Sequence, residues 1–284
     1  MADQRAGDGR RGHGRPDGRI GGRGGERRTG GRVPTARTER TERTERPRDP
    51  AVEDGVTGRE LDPAVRDELR TLPGQIAGAV SRHLVMAGRL LDEDPDLAYE
   101  HTLAARRRAA RVGLVREAVG VAAYASGRYA EALSELRAAR RITGSAEFLP
   151  MMADCERGLG RPRRALDLAA DPAVGRLDPA GRVEMLIVAA GARRDLGQLD
   201  AAVVSLQVPE LRSRGTGGWV ARLRYAYADA LLAAGRDDDA RLWFIRAAEA
   251  DVDEETDAAE RAAALDGIVL TEDVEEPGPG GHEG

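Results

Sequence analysis

Four glycines recur at nearly regular intervals along the middle of the chain. They are Gly127, Gly160, Gly197 and Gly235, and the intervals between them are 33, 37 and 38 residues. Glycine is common just after the last turn of an α-helix, because the chain often continues there in a left-handed conformation that side chains disfavour. A period of this length is typical of stacked helical hairpins, each of which buries its apolar face against its neighbours. The spacing therefore predicts a repeat of helix–turn–helix units.

Small residues lie at fixed distances from these glycines. Seven residues before each glycine are Gly120, Ala153, Ala190 and Ala228, and five residues after are Ala132, Ala165, Ala202 and Ala240. The same register, extended one unit back to Glu93, reaches Met86 and Ala98. Two antiparallel helices approach closely only where neither carries a bulky side chain. These positions are therefore predicted to be the points where the two helices of each hairpin cross.

The composition agrees with an all-helical protein. Hydrophobic residues make up 41% of the chain and aromatic residues only 3%, with alanine and leucine supplying most of the apolar content. Such residues favour closely packed helices over β-sheets. Apolar residues recur at helical spacing in segments of about 12–15 residues, and no segment alternates convincingly as a strand does. Asp-Pro pairs, which are typical of helix starts, stand at 62–63, 94–95, 171–172 and 178–179.

Two segments carry a recognisable pattern of packing residues. The first is Gly113–Gly144, with Gly120, Tyr124, Gly127, Tyr129, Ala132, Leu136 and Ala139. The second has Tyr227, Ala228, Leu231, Gly235, Ala240, Phe244 and Ala247. This pattern resembles the tetratricopeptide repeat family, whose unit is a helix–turn–helix of about 34 residues. The resemblance implies an all-α, right-handed α-solenoid of about five repeats, and Leu69–Gly160 is also similar to repeat proteins of high-GC Gram-positive bacteria.

The two middle units depart from this pattern at a proline. Pro172 and Pro209 stand where the other two units have Ala139 and Ala247. Inside a helix, proline removes a backbone hydrogen bond and its ring clashes with the preceding turn. The second helices of these two units are therefore predicted to end early.

The two ends of the chain differ in composition from its middle. Residues 1–58 are rich in arginine and glycine and repeat Thr-Glu-Arg three times between 38 and 46, with too few apolar residues to offset the entropy of ordering. We expect a disordered tail there, a repeat domain over 59–250, a capping helix within 251–269 and a disordered acidic tail over 270–284. The capping helix is expected at Thr256–Val269, because Ala258, Ala262, Leu265 and Val269 form an apolar stripe.

No catalytic, cofactor or metal site is predicted from the motifs. The four histidines, His13, His83, His101 and His282, lack the spacing of metal ligands. Cys155 is the single cysteine, which excludes an intramolecular disulfide and is typical of a small buried hydrophobe. No phosphate-binding motif and no apolar run long enough for a membrane span occurs. We therefore expect a cytoplasmic protein that is not an enzyme.

Clusters of arginine leave two interpretations open. The clusters are Arg106, Arg107, Arg108 and Arg111, then Arg137, Arg140 and Arg141, then Arg161, Arg163 and Arg164. Several lie in predicted last turns of helices, where a cation interacts favourably with the helix dipole. The alternative is a stripe for an anionic ligand such as nucleic acid, together with the basic tail around Arg23-Gly24-Gly25. Acidic and basic side chains balance over residues 51–250, which favours the first interpretation.

The resemblance also implies where a partner binds. In the family, the first helices of the hairpins line a concave groove, and the matching positions here are Glu117, Tyr124, Asp154, Arg157, Arg194, Arg222, Tyr225 and Asp229, with His83 on the same face. Tyr124 and Tyr225 are expected to be the main contacts, because aromatic residues often dominate interfaces. The three arginines are expected to select acidic flanks. The expected function is binding of a protein or peptide, and the alternative is a nucleic-acid-associated adaptor.

Overall fold

The computed structural model describes residues 48–213, 215 and 218–267. Within these ranges the chain forms twelve α-helices and two 3-10 helices but no β-strand, so the expected all-α fold class is confirmed there. No helix in these ranges is both long and apolar enough to cross a membrane. The α-helices are α1 (Pro63–Leu69), α2 (Gly74–Leu90), α3 (Pro95–Ala109), α4 (Gly113–Ala125), α5 (Tyr129–Thr143), α6 (Leu149–Gly158), α7 (Pro162–Ala169), α8 (Pro179–Asp195), α9 (Leu199–Ser205), α10 (Gly218–Ala233), α11 (Asp237–Ala248) and α12 (Ala258–Leu265).

The four recurrent glycines end helices, as predicted. Their φ angles are 71°, 70°, 71° and 74° in chain order, which lie in the left-handed region. At Gly127 the backbone N–H donates to the carbonyl of Tyr124 at 2.9 Å, and the N–H of Arg128 donates to the carbonyl of Ala123 at 2.7 Å. The same two bonds recur at the other three glycines. Each glycine therefore closes the first helix of a hairpin and turns the chain into the second.

The small residues lie where paired helices cross, as predicted. Ala132, Ala165, Ala202 and Ala240 are each 0% exposed. A side chain at Gly120 of α4 would place its Cβ 2.5 Å from Leu136 Cδ2 and 3.5 Å from the backbone oxygen of Ala132 on α5. The first distance is well below the roughly 3.5–4.0 Å of a normal carbon–carbon contact. This crossing therefore has no room for a larger residue.

The two second helices that meet a proline are short, as predicted. Helix α7 has 8 residues and α9 has 7, whereas α5 has 15 and α11 has 12. A 3-10 helix begins at each proline, at Pro172–Arg176 and Pro209–Arg212. Proline suits the first position of a helix, where its missing N–H would have no partner. Each proline therefore starts a new short element instead of continuing the helix before it.

Successive helices pack against each other along the whole described part of the chain. Each α-helix contacts the next one, and in addition α2 contacts α4, α6 contacts α8 and α8 contacts α10. We call α2, α4, α6, α8 and α10 the first helices, because each precedes the turn of a hairpin. These contacts place three pairs of neighbouring first helices side by side, α2 with α4, α6 with α8 and α8 with α10, as expected when a hairpin cannot bury its apolar face alone.

The buried apolar side chains are divided along this series of helices. One cluster, which includes Leu69, Val80 and Val115, joins α1 to α4. A second runs from Ala123 in α4 to Ala192 in α8, and a third runs from Val183 in α8 to Ala262 in α12. Each core is therefore shared between several hairpins.

The packed chain begins earlier than the sequence analysis places it. Residues 48–58 fall in the expected disordered tail, but Val56 is buried against Val85 and Met86 of α2. Asp49 also pairs with Arg107 and Arg108 at the end of α3. Val56 and Asp49 therefore hold this segment against α2 and α3, although its overall composition is polar. The rest of the expected tail, residues 1–47, lies outside the described residues.

The expected capping helix is present but shorter. It is α12, Ala258–Leu265, instead of Thr256–Val269, and Gly267 follows it with a φ of 75°. Ala258 and Ala262 are buried, and Leu265 packs against the same core, so three residues of the expected apolar stripe face the core. Val269 and the expected acidic tail lie outside the described residues.

The hairpin crossing yields a direct test of the fold. Replacing Ala132 with leucine should destabilise the protein by about 1–3 kcal/mol, because overpacking forces neighbouring side chains out of their preferred conformations. The measurement is the free energy of unfolding from urea titration. The matched control is Ala130→Leu on the same helix, because Ala130 is exposed. Equal stability of the two variants would show that the register is wrong.

Candidate functional site

The structure brings most of the expected binding residues to one side of the first helices. We call this surface the first-helix face and define it by Glu117 of α4, Asp154 of α6, Glu184 of α8 and Arg222 of α10. Among the cavities that open on it are two that share the side chain of Phe148, just before α6. Phe148 was not among the expected site residues, because it lies in a turn and falls outside the positions that the repeat register compares.

The first of these, the Glu117 cavity, is mainly apolar. It has a volume of about 280 Å³ and lies between α1, α2 and α4. Apolar side chains supply most of its wall: Leu61, Val65, Leu84, Leu91, Leu114, Val121 and Phe148. Glu117 is its only charged lining residue, and burial, followed by the nearby Glu147 and Glu68, raises the pKa of the Glu117 carboxyl above its ordinary value.

The second, the Tyr124 cavity, combines apolar and charged side chains. It has a volume of about 640 Å³ and extends from Phe148 towards α8 and α10. Its apolar lining comes from Phe148, Pro150, Met151, Ile187 and Val188. Its charged lining comes from Glu147, Asp154, Arg157, Glu184 and Arg222. The two cavities together offer a set of apolar side chains, and most of the charged lining residues belong to the Tyr124 cavity.

Tyr124 is tied into a chain of polar contacts between hairpins. Its hydroxyl donates to Asp154 Oδ2 at 2.6 Å, and Asp154 Oδ1 accepts from Arg157 Nη1 at 2.8 Å. Arg157 Nε in turn donates to Asp195 Oδ2 at 2.9 Å. Burial, together with this bond to Asp154, raises the pKa of Tyr124. The Tyr124 side chain is half-buried, and its hydroxyl already has a hydrogen-bond partner within the protein.

The other two expected arginines also have carboxylate partners. Arg222 Nε donates to Glu184 at 2.9 Å, and its Nη1 donates to Glu255 at 3.0 Å. Arg194 pairs with Asp229. With Arg157 bound to two aspartates, none of the three is the free cation that selection of an acidic flank would need. Asp154 lies on the same helix as Arg157, but the other four partners lie about one hairpin away along the chain, where the spacing of the sequence does not reveal them.

Helix α12 covers Tyr225 and Asp229. Arg261 of α12 donates to the Tyr225 hydroxyl at 3.1 Å and to Asp229 Oδ1 at 3.1 Å, and its guanidinium lies 4.9 Å from the ring centroid of Phe244. Tyr225 lines neither of the two cavities and is a contact of the capping helix, so it does not share a cavity with Tyr124. The sequence does single out Arg261, which is the only arginine among residues 251–284.

His83, which the repeat register places on the first-helix face, is buried instead. Its Nδ1 lies 3.0 Å from Nδ1 of His101, and the two side chains are 5% and 0% exposed. Burial, followed by His101 and Arg108, lowers the pKa of His83 to about 4, so both rings are neutral near pH 7. The two histidines are equally distant from residue 92, where α2 turns into α3. Residues at equal distances from a hairpin turn face each other, and this signal predicts the pair.

Most of the clustered arginines pair with carboxylates of nearby elements. Arg106 and Arg116 bind Glu135, Arg140 binds Asp171, and Arg137 donates to Glu156 at 2.6 Å. Glu156 is 0% exposed and also lies 3.5 Å from Arg161. These pairs support the interpretation that the clustered arginines stabilise the fold. Specific carboxylates interact with them in addition to the helix dipole. Four of the clustered arginines are exposed and have no carboxylate partner among the described residues: Arg111, Arg141, Arg163 and Arg164.

A third cavity, the Leu166 cavity, lies between α7, α8 and α9. It has a volume of about 480 Å³, and its lining includes Leu166, Val174, Leu186 and Val208. None of its lining residues belongs to the two cavities on the first-helix face. Sequence reasoning missed it, although the early end of α7 and α9 was predicted and leaves this gap.

Metal binding and thiol chemistry find little support in the described part of the chain. It holds no group of three or more His, Cys, Asp or Glu side chains placed to bind a metal ion. Cys155 is fully buried, and burial raises the pKa of its thiol to about 12. A thiol in that state is a poor nucleophile at neutral pH.

Comparison with known proteins gives no family assignment. No protein-family model matches the sequence, and no curated protein matches it either. The resemblance to tetratricopeptide repeats therefore rests on the residue pattern of the sequence.

The histidine pair yields a prediction about pH. The folded state holds His83 with a pKa of about 4, against 6.5 for an ordinary histidine. The unfolded chain therefore binds protons more readily between these values, so stability is full above about pH 6.5 and falls as the pH drops towards 4. Arg108 and Arg107 also lower the pKa of His83, whereas Asp49 raises it.

The measurement is the urea midpoint at pH 7 and at pH 5. Carboxylates also begin to titrate in this range, so the control is the double variant His83→Asn with His101→Asn. The wild type should lose more stability on acidification than the double variant does. An equal loss in both proteins would show that the pair is not the titrating element.

Proposed function

We propose that this protein is a tetratricopeptide-like interaction module that binds a peptide, or an extended segment of a partner protein, on its first-helix face. In this proposal the hairpins form a right-handed α-solenoid of about five units, and the first-helix face is its concave side. The regular glycine turns, the buried alanines at the crossings and the contacts between alternate helices support this arrangement. The proposed binding residues are those of the two cavities joined by Phe148.

The observation that carries the proposal is the shared wall at Phe148. Because one side chain lines both cavities, their apolar linings lie on either side of it. Sites for small or extended ligands are commonly concave and mainly apolar, with a few polar groups that fix orientation. A peptide lying across Phe148 could place one apolar side chain in the Glu117 cavity and another in the Tyr124 cavity.

One further candidate function has a specific observation in its favour. The four exposed arginines without a carboxylate partner could contact the phosphates of a nucleic acid. Such binding weakens steeply with added salt, whereas binding by apolar contacts does not. The expectations of a cytoplasmic location and of no enzymatic activity stay predictions.

Truncating Phe148 tests the proposal. Peptides are first selected on the wild-type protein from a random display library, and their affinities are then measured by fluorescence anisotropy. Phe148→Ala should weaken binding by about 2 kcal/mol or more, the usual cost of removing a dominant interface residue. This corresponds to roughly a thirtyfold loss of affinity. Ile187→Ala, in the Tyr124 cavity, should weaken binding as well.

Two control variants locate the binding surface. Leu242→Ala removes an apolar side chain that is 50% exposed and lines none of the three cavities, so it should bind like wild type. Leu166→Ala reports on the third cavity, and Arg163→Ala reports on the exposed arginines. The proposal fails if either of these two variants loses binding while Phe148→Ala and Ile187→Ala retain it. Unfolding midpoints of all variants establish that each remains folded.

A further inference from the structure

The charges on the first-helix face are not evenly compensated. Each of its expected arginines is paired with at least one carboxylate: Arg157 with Asp154 and Asp195, Arg194 with Asp229, and Arg222 with Glu184 and Glu255. Three carboxylates near the Glu117 cavity, those of Glu68, Glu117 and Glu147, have no cationic partner among the described residues. The uncompensated charge at this cavity is therefore negative.

Glu117 joins this negative charge to the apolar wall. It lies one turn before Val121 and one turn after Gly113–Leu114 on α4, so its carboxylate emerges among the apolar side chains of the cavity. Burial, Glu147 and Glu68 all raise the pKa of the Glu117 carboxyl, and Thr143 lowers it. A partly buried carboxylate without a cation is costly, and a cation supplied by a ligand would relieve that cost.

We infer that the Glu117 cavity takes an apolar side chain from a peptide that carries a lysine or arginine next to it, so that the preferred partner segment is hydrophobic and basic. This inference rests on the proposed function, because it names the chemistry of the ligand at the same face. The apolar side chain fills the space beside Leu84, Val121 and Phe148, and the cation contacts the Glu117 carboxylate. Glu147, which is exposed and lines the neighbouring cavity, attracts the same cation.

An acidic segment is disfavoured at this position. It would bring further negative charge to three carboxylates, and like charges placed together at an interface oppose binding. An uncharged apolar segment would fill the cavity but leave the Glu117 carboxylate less hydrated and still without a cation. The inference thus reverses the expectation from the sequence, which assigned acidic flanks to arginines that the structure shows to be paired.

Two matched peptide-display libraries test the inference. Both contain apolar residues at the same positions, and their charged positions are restricted to Lys and Arg in one library and to Asp and Glu in the other. The basic library should yield binders and the acidic library should yield few. Glu117→Gln keeps the size and polarity of the side chain but removes its charge, and it should weaken the selected basic peptides about tenfold. Glu131→Gln, at an exposed position on α5, should leave their affinity unchanged.

The outcomes separate the inference from the function on which it rests. If acidic peptides bind as well as basic ones, or if Glu117→Gln has no effect, the inference is overturned. The proposed function still stands in that case provided that binding depends on Phe148. If neither library yields peptides whose binding depends on Phe148 or Ile187, both the inference and the proposed function are overturned.

Discussion

Close contact between paired helices at small side chains is the constraint on which the rest of the structure depends. At the α4–α5 crossing, glycine and alanine bring the backbones so near that a single added carbon at Gly120 would overlap Leu136. The left-handed glycine seven residues later fixes the turn that returns the second helix to this contact. The same pair of features recurs in the next three hairpins, whose first helices α6, α8 and α10 contact one another in order.

Polar contacts between hairpins build on this regular spacing. Tyr124 reaches Asp154, Arg157 reaches Asp195, and Arg222 reaches Glu255, each across 30 to 38 residues of sequence or about one repeat. The first two bonds join first helices, and the third joins α10 to the segment before α12. Together they occupy several of the charged groups on the first-helix face. What remains there is an apolar surface around Phe148 with unpaired carboxylates at one end. The charged groups that have no partner after the hairpins pack therefore determine which ligands the first-helix face can bind.

The sequence predicted the elements of this fold better than it predicted the site. The turn glycines, the alanines at the crossings and the helix-ending prolines each affect a single hairpin. Their spacing in the sequence is therefore enough to locate the helix ends and the crossings. The state of a surface side chain depends on residues from another hairpin, and the repeat pattern carries no information about those. Tyr225 illustrates the difference: its place on α10 was predictable, but its contact with Arg261 depends on how α12 packs. His83 was misplaced for a different reason: its partner His101 lies in the same hairpin but on the second helix, whereas the expected face was read from the first helices alone.

Methyl NMR of the protein with a selected basic peptide tests the central claim, that ligands bind across the two cavities of the first-helix face. Val121 reports on the Glu117 cavity and Ile187 on the Tyr124 cavity, while Val204 and Leu242 are exposed and line none of the three cavities. The account predicts that the methyl signals of Val121 and Ile187 both shift on titration with the peptide, and that those of Val204 and Leu242 stay in place. Shifts at Val204, Leu242 or Leu166 without any change at Val121 and Ile187 would contradict it.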